Sequence, residues 1–281
     1  MPALDIRGAH INYEIVGRRG PWVALMPGGR RPLSAVRSLA NRIAAAGYRV
    51  LLHDRRNWGA SDVIIEGAAS ESEIWAEGLH ELLQRLGALP AYVGGGSSGC
   101  RTSLIYARHH PQAVMGLLLW RITGGAFAAR RLAEQYYGQY IRAARSGGMQ
   151  AVCDTEHFRE RIAARPENGE RLRRMDTQHF IDVMSNWSQY FDRDAGLPVI
   201  GASATQLRAL GVPTCIVPGN DNTHPRSVGE TMHSLAPGSE LRLVFPEHVD
   251  VDMVPPEVWA VKEGDMAAMF LDFMRRHSPR A

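Results

Sequence analysis

The run Tyr92-Val93-Gly94-Gly95-Gly96-Ser97-Ser98-Gly99-Cys100 places a serine hydroxyl among glycines, between a β-prone segment and a helical pattern. Gly95, Ser97 and Gly99 fit G-x-S-x-G. In this spacing a sharp strand-to-helix turn lifts one hydroxyl above a sheet, and small neighbours permit the strained backbone. A serine hydroxyl is a weak nucleophile at neutral pH. It needs an imidazole to take its proton and a carboxylate to fix the tautomer of that imidazole. Phosphate-binding loops are the rival reading. The Gly-Lys-Ser/Thr of a Walker loop is absent. Gly94-x-Gly96-x-x-Gly99 does match a dinucleotide fingerprint, but it follows the fifth strand-like run, and the next strand ends in Trp120-Arg121 without an acid. Ser98 competes with Ser97 for the nucleophile's place. Choosing it would put Cys100 where a small residue belongs and leave Gly99 without a role, so Ser97 is preferred.

Two loops are placed to supply the carboxylate. The one after Trp120 reads Arg121-Ile122-Thr123-Gly124-Gly125 and has none. The one after Val217 reads Pro218-Gly219-Asn220-Asp221-Asn222-Thr223-His224-Pro225 and offers Asp221, although an aspartate in such a loop also suits an Asx turn. Of the 11 histidines, His224 shares the acid's loop, His248 follows a strand ending at Phe245, and His277 lies near the C-terminus.

The surrounding pattern alternates. Ala3 to Ile6 and Ile11 to Val16 read as an antiparallel pair, and Trp22 to Met26 as a buried strand running into Pro27-Gly28-Gly29. An amphipathic helix over Ala35 to Ala46, a strand over Tyr48 to His53, a helix over Glu71 to Leu86, the Ser97 turn and a strand over Val114 to Trp120 follow. Strands separated by helices imply an α/β fold, a mostly parallel twisted sheet flanked by helices, with sites at the carboxyl ends of the strands. From Thr123 to about Ala204 only helical patterns occur: Ala126 to Arg145, Glu156 to Ala164, Glu167 to Met175 and His179 to Tyr190, with breaks at Gly147-Gly148 and Arg165-Pro166. Residues 123–204 are therefore expected to form an inserted all-helical cap over the site, and residues 1–122 and 205–281 the core domain. The β pattern returns over Val212 to Val217 and Glu240 to Phe245, and Met266 to Arg276 closes the chain as a helix.

Composition narrows the function classes. The chain has 281 residues, 45% of them hydrophobic, and a net charge of +3, with Lys262 its only lysine. No aromatic-interleaved basic block points to nucleic acid, and no segment is apolar and long enough to span a membrane. Cys100, Cys153 and Cys215 are far apart and lack C-x-x-C spacing, which fits free thiols in a reducing compartment and no zinc framework. The opening Met1-Pro2-Ala3-Leu4-Asp5 has neither a basic nor an apolar leader region, so a cytoplasmic location is expected.

Taken together, these elements resemble the α/β-hydrolase family over nearly the whole chain. The features that carry the resemblance are the antiparallel opening, the Pro27-Gly28-Gly29 turn where the family often has His-Gly, and the Ser97 elbow. With them go the helical insertion, a late acid and histidine, and Asp54-Arg55-Arg56-Asn57-Trp58-Gly59-Ala60-Ser61-Asp62, which is similar to D-x-R-G-x-G-x-S. The resemblance implies the chain order nucleophile, acid, histidine. Asp221 and Pro225 match G-x-x-D-x-x-x-P, with Pro218 in place of its glycine. His248 falls where the family carries its histidine, after Pro246-Glu247, and is the expected base. The expected oxyanion donors are the backbone N–H groups of Ser98 and, by resemblance, Gly29, with Arg30 one residue on.

This constellation implies hydrolysis of a small ester or lactone carbonyl with no metal and no organic cofactor. Two alternatives use the same fold: a carbon–carbon hydrolase of a diketone acid, and a lyase, oxygenase or ligand receptor. A haloalkane dehalogenase or epoxide hydrolase would carry aspartate at the elbow. Trp58, Trp120 and Trp187 are candidates for an apolar pocket, and Arg30, Arg31 or Arg121 for holding a substrate carboxylate. The partner is a small-molecule substrate, and a homodimer is compatible with this reading.

Overall fold

Strand residues alternate between two separate apolar clusters, as a period-two pattern requires. Val23, Leu25, Val50, Leu52 and Leu118 face one cluster, and Ala24, Met26, Leu51, Leu117 and Leu119 the other. The computed structural model describes residues 2–278. Its eight strands are β1 (Ala3–Ile6), β2 (Ala9–Val16), β3 (Trp22–Met26), β4 (Arg49–His53), β5 (Ala91–Gly96), β6 (Val114–Trp120), β7 (Thr214–Val217) and β8 (Ser239–Leu241). They form one sheet in the order β1-β2-β4-β3-β5-β6-β7-β8. The β1–β2 and β2–β4 pairs are antiparallel, and every later pair is parallel.

Helices cover both faces. Leu79, Leu82 and Leu83 of α2 (Glu71–Arg85) and Leu104 and Ile105 of α3 (Ser98–His109) pack in one cluster; Leu39 and Ile43 of α1 (Arg37–Ala45) join the other, with Phe270 and Phe273 of the closing helix. From β3 the chain steps outward to β4 and then returns to the other side of β3 to lay down β5. That reversal opens a crevice at the carboxyl ends of β3 and β5, where the Pro27–Arg30 and Ser97 turns lie side by side.

Between β6 and β7 come α4 (Gly125–Ala133), a π turn (Glu134–Gly138), α5 (Gln139–Cys153), α6 (Glu156–Ala164), α7 (Glu167–Arg174), α8 (Thr177–Asp194) and α9 (Ala204–Arg208). Gly147 and Gly148 interrupt α5 with non-helical backbone, where the sequence marks a break. The helices bury a cluster of their own, including Leu132, Tyr137, Phe158, Phe180 and Trp187, into which Val63 and Ile65 reach from the β4 side. After β7 follow α10 (Arg226–Leu235), α11 (Pro256–Ala260) and α12 (Glu263–His277). Strand β8 is shorter than the expected Glu240–Phe245. It pairs with β7 alone, and after Arg242 gives its N–H to the Ile216 carbonyl (2.8 Å) the chain leaves the sheet toward Pro246. No described helix is long and apolar enough to cross a membrane.

Candidate active site

The elbow is built by steric exclusion. Ser97 follows β5 with φ 53° and ψ −111°, a conformation that strains any L-residue, and Ser98 begins α3. A Cβ on Gly95 would lie 2.6 Å from the Gly99 backbone, and one on Gly99 would lie 2.7 Å from the Met26 carbonyl. Both glycines of G-x-S-x-G are therefore required by packing, and it is Ser97, not Ser98, that the turn projects. The Cys100 thiol beside it donates to the Gly95 and Trp120 carbonyls at 2.9 Å, and burial pushes it up to about 12, so it stays a thiol.

Ser97 Oγ lies 3.0 Å from His224 Nε2, and His224 Nδ1 lies 2.8 Å from Asp221 Oδ1. An ionised carboxylate only accepts, so Nδ1 carries the proton and the lone pair on Nε2 faces the serine. The loop itself creates this geometry. Asp221 Oδ1 also accepts the N–H groups of Thr223 (3.1 Å) and His224 (2.8 Å), closing an Asx turn that curls the chain until the His224 ring lies against the carboxylate. Gly219 makes room, since a Cβ there would meet the His224 carbonyl oxygen at 2.1 Å. The Asx turn and the hydrogen-bonded relay, alternatives at the level of sequence, are one structure.

His248 is the correction. It is exposed on the loop after β8, its Nε2 3.1 Å from the Asn222 side-chain oxygen, and it does not reach Ser97. That loop instead pairs with the acid loop: Asn222 and Thr223 donate N–H groups to the carbonyls of Val251 and Asp252, and Val249 donates to Asn220. With His224 already between Asp221 and Ser97, a second imidazole has no place there. The sequence signal for this arrangement is Asp221-x-x-His224 between Gly219 and Pro225.

Arg121 completes the relay. At the end of β6 with φ 54°, it donates from Nη2 to Asp221 Oδ2 (3.1 Å) and to the Val254 carbonyl (3.0 Å), while Val254 N–H donates to the same Oδ2 (2.9 Å). Burial works to raise the Asp221 pKa, but the His224 hydrogen bond and charge, the Val254 N–H and Arg121 outweigh it and hold the carboxyl well below the usual carboxylate range. Burial lowers His224, and Arg121 lowers it further against the opposing pull of Asp221. The imidazole is a base only when neutral, so a depressed pKa keeps it competent into mildly acidic solution. An acidic limb in kcat/KM is expected below about pH 6.5, the ordinary histidine value. Arg121→Met removes a charge that disfavours imidazolium. The limb is then expected to move to higher pH with kcat reduced about 10-fold, and a pH–rate profile that leaves it in place would refute this role.

A cavity of about 530 Å³ opens onto Ser97 and His224, within the range of small-molecule sites. Its walls include Gly28 and Gly29, Trp120, Leu132 and Tyr136 from the helical insertion, and Met253, Trp259 and Met266 from the C-terminal part. The expected lining residues divide. Trp120 lines the cavity, whereas Trp58 and Trp187 do not. Trp58 is buried edge-on against Trp75, Tyr136 and His157, and Trp187 is buried in the insertion with its indole N–H on the Ala69 carbonyl (3.0 Å). Among the arginines, Arg121 lines the cavity, with its Nη2 held by Asp221 and the Val254 carbonyl. Arg30 reaches the wall, but its guanidinium is enclosed by Trp58, Tyr136, Tyr137 and Tyr140 at 4.9–5.7 Å, with Nη1 2.9 Å from His157 Nε2 and Nη2 on the Tyr136 carbonyl. Arg31 is the exposed one.

Comparison with known proteins agrees with this architecture. Residues 21–145 match the family described as alpha/beta hydrolase fold. The chain is 32% identical over 111 residues to the uncharacterized hydrolase YraK of Bacillus subtilis (strain 168), a stretch that covers 40% of each protein. It is 26% identical over 246 residues to a 2-hydroxy-6-oxononadienedioate/2-hydroxy-6-oxononatrienedioate hydrolase of Escherichia coli O139:H28 (strain E24377A / ETEC), covering 83% of this chain and 82% of that protein. A thermophilic esterase from Thermogutta terrifontis superposes with a TM-score of 0.66 at 20% identity, over 99% of this chain and all of the other. The parallel sheet, the elbow after β5 and these matches lead to one assignment: the chain has the α/β-hydrolase fold.

Proposed function

We propose that this protein is a cofactor-independent serine hydrolase of a small ester or lactone, with Ser97 as nucleophile, His224 as base and Asp221 as the group that orients the base. The observation that carries this reading is the unbroken relay from Asp221 through His224 to Ser97, at 2.8 and 3.0 Å, on the wall of the cavity. His224 Nε2 takes the Ser97 proton as Oγ bonds to the substrate carbonyl carbon. The negative charge that develops on the carbonyl oxygen is met by the N–H groups of Ser98 and Gly29. His224 then returns the proton to the departing alkoxide. Water, deprotonated by the same imidazole, releases the acyl group from Ser97. The helices of residues 123–204 act as the cap, contributing Leu132, Gln135 and Tyr136 to the cavity.

A second reading, hydrolysis of a carbon–carbon bond in a diketone acid, is favoured by one pair of observations. The Escherichia coli relative named as a hydrolase of a 2-hydroxy-6-oxo dioate, an oxo acid, matches over most of both chains, and Arg31 is exposed on the cavity wall to receive a carboxylate. An alkyl fluorophosphonate followed by peptide mass spectrometry tests the shared chemistry. Labelling at Ser97 is expected, and its absence from folded protein would favour the lyase, oxygenase or receptor alternatives. Turnover of p-nitrophenyl esters against that of diketone acids then separates the two hydrolytic readings.

A further inference from the structure

We infer that Arg55 is a positioning residue for the oxyanion hole, a buried guanidinium that clamps together the two loops carrying its N–H donors. The inference rests on the serine-hydrolase reading above. Arg55 Nη1 donates to Ser98 Oγ (3.1 Å) and Nη2 donates to the Gly29 carbonyl (3.0 Å). Ser98 Oγ in turn lies 3.4 Å from the same carbonyl. One planar group thus joins the first residue of α3 to the turn after β3, two segments that are 69 residues apart. The contact to the Gly29 carbonyl holds the plane of the Gly29–Arg30 peptide, directly after the Gly29 N–H, and the contact to the Ser98 side chain holds the first residue of α3, so the loops on both sides of the cleft where the carbonyl oxygen of a substrate would lie are tied to one group.

The surroundings of Arg55 fit this task. It is 2% exposed, and among the described residues no carboxylate lies within ion-pair distance of it. Its charge rests on the faces of Trp75 (4.4 Å) and Trp58 (5.4 Å). Burial brings the guanidinium down to about 10, so it remains a cation at neutral pH. A buried cation without a carboxylate partner is costly, and among the described residues the hydrogen-bond acceptors of this one lie on the two loops of the hole. Its own position is enforced by its neighbour. Asp54 accepts N–H groups from Leu33 (2.7 Å) and Ala60 (2.9 Å) and the Asn12 amide (2.7 Å), and Gly59 must lack a side chain because a Cβ would lie 2.0 Å from Asp54 Cγ. Arg55 therefore leaves β4 in a direction the sequence cannot vary freely.

The test compares wild type with Arg55→Met, which keeps volume and removes charge, using p-nitrophenyl acetate, an alkyl trifluoromethyl ketone and the matching methyl ketone. The trifluoromethyl ketone adds Ser97 Oγ to its carbonyl carbon, forming a hemiketal whose oxygen occupies the hole; the methyl ketone binds as a ground-state analogue. A positioning role predicts that kcat falls about 100-fold, that trifluoromethyl ketone affinity falls by a similar factor, and that methyl ketone affinity and KM stay within about twofold. Added guanidinium is expected to restore part of kcat in Arg55→Ala. A folded Arg55→Met with kcat within threefold of wild type overturns the inference, as does equal weakening of both ketones. If Arg55→Met does not fold, Ser98→Ala, which keeps the N–H and loses the hydroxyl acceptor, takes its place. It is expected to lower kcat and trifluoromethyl ketone affinity together, and no change in either overturns the clamp. A wild type that forms no adduct at Ser97 overturns the hydrolase reading and the clamp with it, whereas a reactive wild type with an unaffected Arg55→Met overturns the clamp alone.

Discussion

His224→Ala is expected to lower kcat/KM by about 10⁵-fold, about 7 kcal/mol of transition-state stabilisation, while His248→Ala is expected to leave it within about threefold. The contrast follows from position. His224 is 2% exposed and stands between Asp221 and Ser97, so its loss removes the only group among the described residues hydrogen-bonded to the Ser97 hydroxyl. His248 is exposed and touches the site only through Asn222, a neighbour of Asp221. The measurement is steady-state hydrolysis of an activated ester by both variants in parallel. Equal loss in the two would mean that the loop after β8 rearranges in solution to bring His248 inward, and loss in His248→Ala alone would refute the Asp221–His224–Ser97 relay.

Ser97→Ala removes the nucleophile and is expected to cost about 10⁵- to 10⁶-fold in kcat, with the fold intact. Alanine meets the same strained φ at position 97 and fits the same space, so the substitution chiefly removes the 3.0 Å hydrogen bond to His224. The midpoint of thermal unfolding is accordingly expected to shift by no more than about 4 °C, the scale of a single hydrogen bond of about 1 kcal/mol. Circular dichroism melting and ester hydrolysis on one preparation decide the matter. Near-wild-type turnover would require a nucleophile other than Ser97.

Several parts of the site are legible in sequence for a shared reason: the constraint is local. Gly95 and Gly99 are set by packing within a few residues of Ser97 and against β3, and the strand-to-helix turn shows in the chain as a change of period. Asp221 is legible because only one of the two eligible loops contains a carboxylate. Trp58 and Trp187 mislead because a large apolar side chain follows the same rule whether it faces a ligand or a neighbour; their burial against Tyr136 and Ala69 depends on how the helical insertion settles on the sheet. Arg121 looks free for a substrate in sequence because its partner, Asp221, is 100 residues away.

The sheet's alternation, the helical insertion between β6 and β7, the strained serine and the loop that holds the acid can all be read along the chain, since each is written in periodicity or in glycines at fixed offsets. Which of the histidines meets the serine is set by contacts between loops far apart in the chain. A base is defined by distance to a hydroxyl 127 positions earlier in the chain, and an Asx turn three residues long, closed by Asp221 and opened for by Gly219, swings His224 into that place while the loop after β8 carries His248 out to solvent.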